Sequence, residues 1–579
     1  MSSGEVRISE HRGSDDLLSA GLGLSGLSQA TPPAVADANA PSAAELRRRA
    51  LWTSWRGIAD LSPAGGYGEV YGSVPSVPGR EFHAFMRLPA AKSPHRVMLQ
   101  LPDAFDASAR CLLVTASSGS RGIYGAISFA GAWGLPRGCA VVYTDKGAGT
   151  DLFDAASGEG VGLDGRLTTD PAAMAFRPAA VQGSLAVAFK HAHSQDNPEA
   201  DWGNHLYQAT AFALQQLNQA LPAQAPFTFS NTRIIAVGLS NAGGAVLRAA
   251  ERDGDWLDGV VAVAPNVLPG EGGRALYDYA TDAALWMTCA QAAKPLADSP
   301  LPFAMAAITL QREAACAALL AAGMVSNPQV AADEAYQHLR GQGWTDAALG
   351  AGMLSSAFDL WRGVGVSYAS AYGRYALDEM PCGFSLAAVD AAGAPRAATR
   401  GERALWWSDG PGIAPSGGVQ IVAGDATQSA FSRLQCLRDL YQGEHQAAQR
   451  VSAGIEATRA ALPRTGLPIL VIHGVDDGLV PEAFSSGAYV NWVRRAGPYP
   501  LTQWRVHNAQ HFDAFLALPA FGSRYVPLLP YAYAGLDAMW RMLEGGPALS
   551  DTTIQPSARG MANGAVSMLT RDALKLPTK

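Results

Sequence analysis

Residues 232–244 constrain this chain more than any other stretch. They read Thr232-Arg-Ile-Ile-Ala-Val-Gly238-Leu239-Ser240-Asn241-Ala242-Gly243-Gly244: an apolar, β-branched run, a glycine, a serine, then small residues that open a helix. A strand that turns sharply into a helix with a serine at the apex is a nucleophile elbow. The turn strains the serine backbone, so the residues two before and two after it must be small. Gly238 and Ala242 meet that demand, although glycine is usual at the second place. The backbone N–H of Asn241, first in the helix, would point at an oxyanion formed beside Ser240. A serine in an ordinary strand-to-helix turn also has small neighbours, so the rest of the chain must decide between the two readings.

Such a turn needs a sheet around it, and the flanking segments offer one. Residues 81–88, 96–101, 110–116, 139–144, 233–237, 259–264, 467–472 and 502–506 read as strands, several of them short apolar runs fit for a buried parallel sheet. Between them, 206–221 carries apolar residues at 207, 211, 214, 217 and 221, one face of a helix, and 531–543 suits a closing helix. Alternation of this kind predicts an α/β fold: a mainly parallel sheet covered by helices on both faces. At 579 residues the chain exceeds one ordinary core. It is expected to divide into an extended or poorly ordered arm (1–45), a first part of the core (46–270), a mostly helical cap inserted between late strands (271–462), a second part of the core (463–545) and a tail of little pattern (546–579). Helical stretches at 304–322 and 332–340 belong to the cap, with Trp286, Trp344, Trp361, Trp406 and Trp407 mostly in its core and one or two lining a groove.

Composition excludes several function classes. A net charge of −7 leaves no basic field for nucleic acid, and the one basic run, Arg47-Arg48-Arg49, reads as a solvated helix face. No apolar run approaches the roughly 18 residues of a membrane span. The start, Met1-Ser-Ser-Gly-Glu, does not read as a signal peptide, which leaves the compartment open. Cys111 and Cys139 lie in apolar runs and are expected as buried thiols; Cys289, Cys316, Cys382 and Cys436 could form one or two disulfides of undetermined pairing. No spacing of Cys and His suggests a metal site, and no cofactor is expected. Oligomeric state is not readable.

A serine hydroxyl is a poor nucleophile unless a base, itself held by a carboxylate, takes its proton. His473-Gly-Val-Asp476-Asp477-Gly-Leu-Val480-Pro481 follows a strand, and alignment on Val480-Pro481 favours Asp477 as the acid over Asp476. The next strand ends in Val506-His507-Asn-Ala-Gln-His511-Phe-Asp513, where His511 is favoured as the base over His507. Ser, then Asp, then His is the chain order of the α/β-hydrolases. The loop 117–122 after an early strand is where such a fold places its second oxyanion donor, so Ser118 and Gly119 join Asn241 as candidates. His473 and His205 are expected to be structural or to line the substrate site.

Gly238–Gly243, His473–Asp477 and Asn508–Asp513, with Asp15–Gly23 and Ser117–Gly122, resemble the D-(−)-3-hydroxybutyrate oligomer hydrolases over about residues 15 to 545. The resemblance implies cleavage of short poly(3-hydroxybutyrate) chains, an oligoester partner, Ser240 as nucleophile, and Asp477 and His511 completing the triad. Many members of that family begin with a secretion signal. A feruloyl esterase or tannase-like capped esterase is the nearest rival, followed by a depolymerase acting on solid polymer; a serine peptidase and a non-catalytic hydrolase-fold protein are weaker alternatives.

Overall fold

The apolar runs pair into one ten-stranded sheet. In this computed structural model, which describes residues 5–178, 184–423 and 428–577, the strands are β1 (Arg7–His11), β2 (Gly79–Met86), β3 (His95–Pro102), β4 (Cys111–Ala116), β5 (Ala140–Thr144), β6 (Arg233–Leu239), β7 (Gly259–Val263), β8 (Ile469–Gly474), β9 (Leu501–Val506) and β10 (Thr552–Ile554). Their spatial order is β1-β2-β3-β5-β4-β6-β7-β8-β9-β10. From β5 to β10 every neighbouring pair is parallel, while β1, β2 and β3 join antiparallel at one edge. Strands β4, β5, β7 and β8 are buried along their whole length, which is why they read as continuous apolar runs rather than alternating ones.

Helices α1 (Ala43–Arg56), α2 (Trp202–Ala220), α3 (Asn241–Ala249), α4 (Leu276–Ala290), α5 (Met305–Ala321), α6 (Leu360–Gly373) and α7 (Leu529–Leu543) are those that bear on the site. Successive residues of β7 show how the layers form. Val261 and Val263 pack with Leu536 and Met539 of α7, whereas Val260 and Ala262 pack with α2 and α3 on the other face. Among the described residues, no helix is long and apolar enough to cross a membrane.

Between β7 and β8 the chain leaves the sheet and builds a second body over its C-terminal edge. This insertion contains α4, α5, α6 and further helices, together with a small antiparallel sheet (Phe384–Val389, Pro395–Arg396, Val419–Ala423) that the sequence did not announce. A four-stranded sheet (Leu152–Asp154, Glu159–Val161, Leu167–Thr168, Val187–Phe189) is likewise absent from the sequence reading; its Leu152, Val187 and Phe189 pack into the hydrophobic core of the insertion. The five tryptophans named above are all buried.

Several expectations are corrected. The supposedly loose arm supplies edge strand β1, and the buried Asp16 carboxylate accepts hydrogen bonds from Leu18 N, Ser19 N, Ser19 Oγ and Gly21 N, which ties down the segment after it. The Arg47–Arg49 run is not a solvated face. Only Arg48 is exposed; Arg47 forks onto the buried Glu81 at 2.9–3.0 Å, and Arg49 pairs with Asp409. A guanidinium is buried only when its donors are met, and a composition count cannot show that. The tail supplies β10. Cys111 and Cys139 are buried but bridged. Parallel pairing of Leu112 with Ala140 brings the preceding cysteines side by side, Cα atoms 4.7 Å apart. Cys289 pairs with Cys316, linking α4 to α5, and Cys382 pairs with Cys436.

Candidate active site

Ser240 sits in the turn between β6 and α3 with φ 61° and ψ −122°, a conformation that side chains rarely adopt. Three backbone bonds hold it there: Ser240 N–H to Val263 O, and Ser240 O from Gly244 N–H and Asn266 N–H. The small neighbours follow from this tight turn. A Cβ on Gly238 would lie 2.1 Å from the carbonyl oxygen of Ala242. Glycine is also required at 244, where a Cβ would lie 1.8 Å from Asn266 O. Ala242, where the usual pattern has glycine, is buried in the core on that side of the sheet.

The loops after β8 and β9 bring the other two groups to this apex. His511 Nε2 lies 2.9 Å from Ser240 Oγ, and His511 Nδ1 lies 2.7 Å from Asp477 Oδ2. Asp477 Oδ1 accepts from the backbone N–H groups of Leu479 (2.9 Å) and Val480 (2.7 Å). Burial pushes the Asp477 carboxyl up, but the charge and hydrogen bonds of His511 and His473 outweigh it and hold it well below the usual carboxylate range. His473 lies behind Asp477: its Nε2 meets Val480 O at 2.9 Å and its Nδ1 meets Ser486 Oγ at 2.6 Å. Asp476 points elsewhere, its carboxyl raised by burial. His507 forms no part of the group. His205 is buried with its ring against His95, 4.6 Å between centroids, away from Ser240.

Ser240 opens into a cavity of about 150 Å³. Its floor is Ser118, Gly119, Ser120, Ser240, Asn241 and His511; Leu360, Val364 and Tyr368 of α6 and Ile413 roof it. None of the five tryptophans lines it. The Asn241 side chain links floor to roof, donating from Nδ2 to Tyr368 Oη (2.7 Å) and accepting from Asn266 Nδ2 (3.0 Å).

A residue to which the sequence assigned no role organises the 117–120 loop. Lys146 is fully buried just after β5, and its Nζ donates to Ser117 O (2.6 Å), Ser117 Oγ (3.0 Å) and Gly119 O (2.5 Å). Across a trans peptide the N–H of the next residue points opposite to the carbonyl. Anchoring Ser117 O and Gly119 O therefore turns the N–H groups of Ser118 and Ser120 away from Lys146. Burial lowers the Lys146 ammonium to about 7, against the opposing charges of Asp145 and Glu199. The only sequence signal was a lysine two residues beyond a buried strand. Lys146→Met is expected to lower kcat about 10- to 100-fold, with KM changed far less, because the loop would lose its fixed donors. Steady-state kinetics on a soluble ester separates the two constants.

Glu199, also buried, accepts from Tyr372 Oη at 2.7 Å. Burial raises its carboxyl to about 7, against the pull of Tyr372, Arg248 and Lys146. Between roughly pH 4.5 and 7 the folded chain holds a proton that the unfolded chain has released, so this group makes stability fall as pH rises through that window. Glu199→Gln should remove about 2–3 kcal/mol of that fall. Melting temperatures of both proteins at pH 5 and pH 8 provide the check: the value at pH 8 minus the value at pH 5 should be more positive in the variant than in the wild type.

The core strand order, with a strained serine in the turn after a central parallel strand, defines an α/β-hydrolase. Among hydrolases, the chain belongs to the 3HB-oligomer hydrolase (3HBOH) family, whose family model matches residues 2–577. It is a carboxylic ester hydrolase. A relative from Burkholderia vietnamiensis named D-(-)-3-hydroxybutyrate oligomer hydrolase is 36% identical, over 98% of this chain and 90% of the relative. One of the same name from Ralstonia pickettii is 36% identical, over 96% and 85%. Among solved structures, feruloyl esterase B from Aspergillus oryzae is similar at 12% identity and a TM-score of 0.41, over 98% of this chain and 90% of that one.

Proposed function

We propose that this chain is a serine esterase that hydrolyses 3-hydroxybutyrate oligomers through an acyl-enzyme on Ser240. The observation that carries the reading is the hydrogen-bonded line from Ser240 Oγ through the His511 ring to Asp477, opening on a small, largely apolar cavity. Family membership supports the substrate class.

His511 Nε2 takes the Ser240 proton as Oγ attacks the ester carbonyl. Asp477 keeps the imidazole in the tautomer that leaves Nε2 free, and steadies the imidazolium. The oxyanion meets the Asn241 N–H and donors of the 118–120 loop. Collapse expels the alcohol end of the oligomer, which receives the proton from His511. Water then enters, gives a proton to His511 and attacks the acyl carbon, releasing the hydroxyacid and restoring Ser240. The insertion acts as the lid over this cavity. The three disulfides support action in an oxidising compartment.

The test is product chromatography on defined 3-hydroxybutyrate dimer and trimer beside methyl ferulate and a solid polymer film. Release of 3-hydroxybutyrate from the trimer, faster than turnover of ferulate or film, is expected. A clear preference for ferulate would transfer the chain to the aromatic esterases in substrate, and a preference for film would make it a depolymerase.

A further inference from the structure

A line of aromatic rings leads from the cavity to solvent. The His511 ring meets Phe512 with centroids 5.1 Å apart, and Phe512 meets Phe515 at 5.5 Å. Phe515 stacks on Phe358 at 5.0 Å and an interplanar angle of 24°, and Phe358 meets Phe303 at 5.7 Å. The first two phenylalanines follow β9, and the other two come from the insertion between β7 and β8. Phe303 and Phe358 are each 42% exposed. Phe303 leads by chain into α5, where Met305 and Leu310 are 58% and 67% exposed. Large apolar side chains gathered at the surface usually mark a binding site.

Two observations tie this line to the substrate. The cavity, at about 150 Å³, is well below the roughly 300–1,000 Å³ of a site that encloses its ligand. A linear oligomer must therefore leave it. Phe512 lines both the cavity and the start of the ring line, so a strand emerging there meets Phe515 and Phe358 next. The chemistry also fits. Inside an oligomer each repeat is uncharged, lacks hydrogen-bond donors and carries a methyl group, so ring faces suit it better than polar side chains. The charges beside Phe358, Asp359 and Arg362, pair with each other.

We propose that Phe512, Phe515, Phe358 and Phe303 form an extended subsite for the repeats of an oligoester that lie outside the cavity, giving the enzyme a preference for chains longer than the dimer. This rests on the ester-oligomer reading above.

The experiment compares kcat/KM on 3-hydroxybutyrate dimer and pentamer for the wild type, Phe358→Ser and Phe303→Ser, with melting temperature and solution mass measured for each. The wild type should favour pentamer, and each serine variant should lower the pentamer-to-dimer ratio about fivefold, mainly through KM, the scale of one lost aromatic contact. Phe358→Trp should keep the ratio. Phe303 is exposed and far from Ser240 along the line, so its variant reads the subsite even if Phe358→Ser loosens the lid. An unchanged ratio in a folded Phe303→Ser protein overturns the proposal, and so does a wild type indifferent to length. Loss of a dimeric mass in Phe303→Ser would assign the surface to self-association instead. Cleavage of no oligomer at any length would refute the substrate reading itself, whereas cleavage with an unmoved ratio refutes only the subsite.

Discussion

Ser240→Ala should lower kcat on a 3-hydroxybutyrate trimer by about 10⁴- to 10⁶-fold while leaving the melting temperature nearly unchanged. The fold does not depend on the hydroxyl. The elbow is held by the backbone of Ser240, through Val263 O, Gly244 N–H and Asn266 N–H, and an alanine keeps all three. The side chain's hydrogen bond is to His511. Removing Oγ thus deletes the proposed nucleophile and leaves the cavity, the 117–120 loop and the roof in place. His511→Ala should fall to a similar residual rate, and the double variant should be no worse than either single one, as expected of a nucleophile and base that act as one unit in the proposed mechanism. A Ser240→Ala protein retaining more than about 1% of the wild-type kcat would remove Ser240 from the chemistry.

Asp477→Asn should cost about 10⁴-fold in kcat, and the structure gives a specific reason. Oδ1 of Asp477 is committed to the N–H groups of Leu479 and Val480, while Oδ2 faces His511 Nδ1. An asparagine must keep its oxygen toward the two backbone donors, which turns its amide NH₂ toward His511 Nδ1. That nitrogen would then have to accept, the ring proton would move to Nε2, and Nε2 could no longer take a proton from Ser240. The variant should fold, since the turn after β8 keeps its acceptor. Its kcat should fall with little change in KM, and the ring nitrogen shifts of His511 by NMR should report the exchanged tautomer. Full activity in a folded Asp477→Asn enzyme would point to a different acid.

Much of the architecture was legible in the sequence for a local reason. Runs such as 110–116 and 259–264 are apolar without alternation because both faces of their strands are covered, and this pattern survives whatever the chain does elsewhere. The elbow was legible because its steric demand acts within five residues, Gly238 against Ala242. Strands shorter than four residues, such as those at 152–154 and 187–189, leave too little pattern to read. Tail strand β10 was missed for the same reason, its three residues being specified by the edge of β9.

Local pattern was enough to read the succession of strands and helices, the serine at the apex of its turn, and a short set of acids and bases downstream. Which of these side chains meet is visible only in the folded chain. His511 rather than His507, and Asp477 rather than Asp476, are brought to Ser240 by the register of three parallel strands and the loops leaving them. The same holds for Arg47 on Glu81, Cys111 beside Cys139, Lys146 beneath the 117–120 loop and the ring line to Phe303. Local pattern encodes the shape of a segment, whereas a contact depends on which distant segments become neighbours, and that follows from how the whole chain buries its apolar faces.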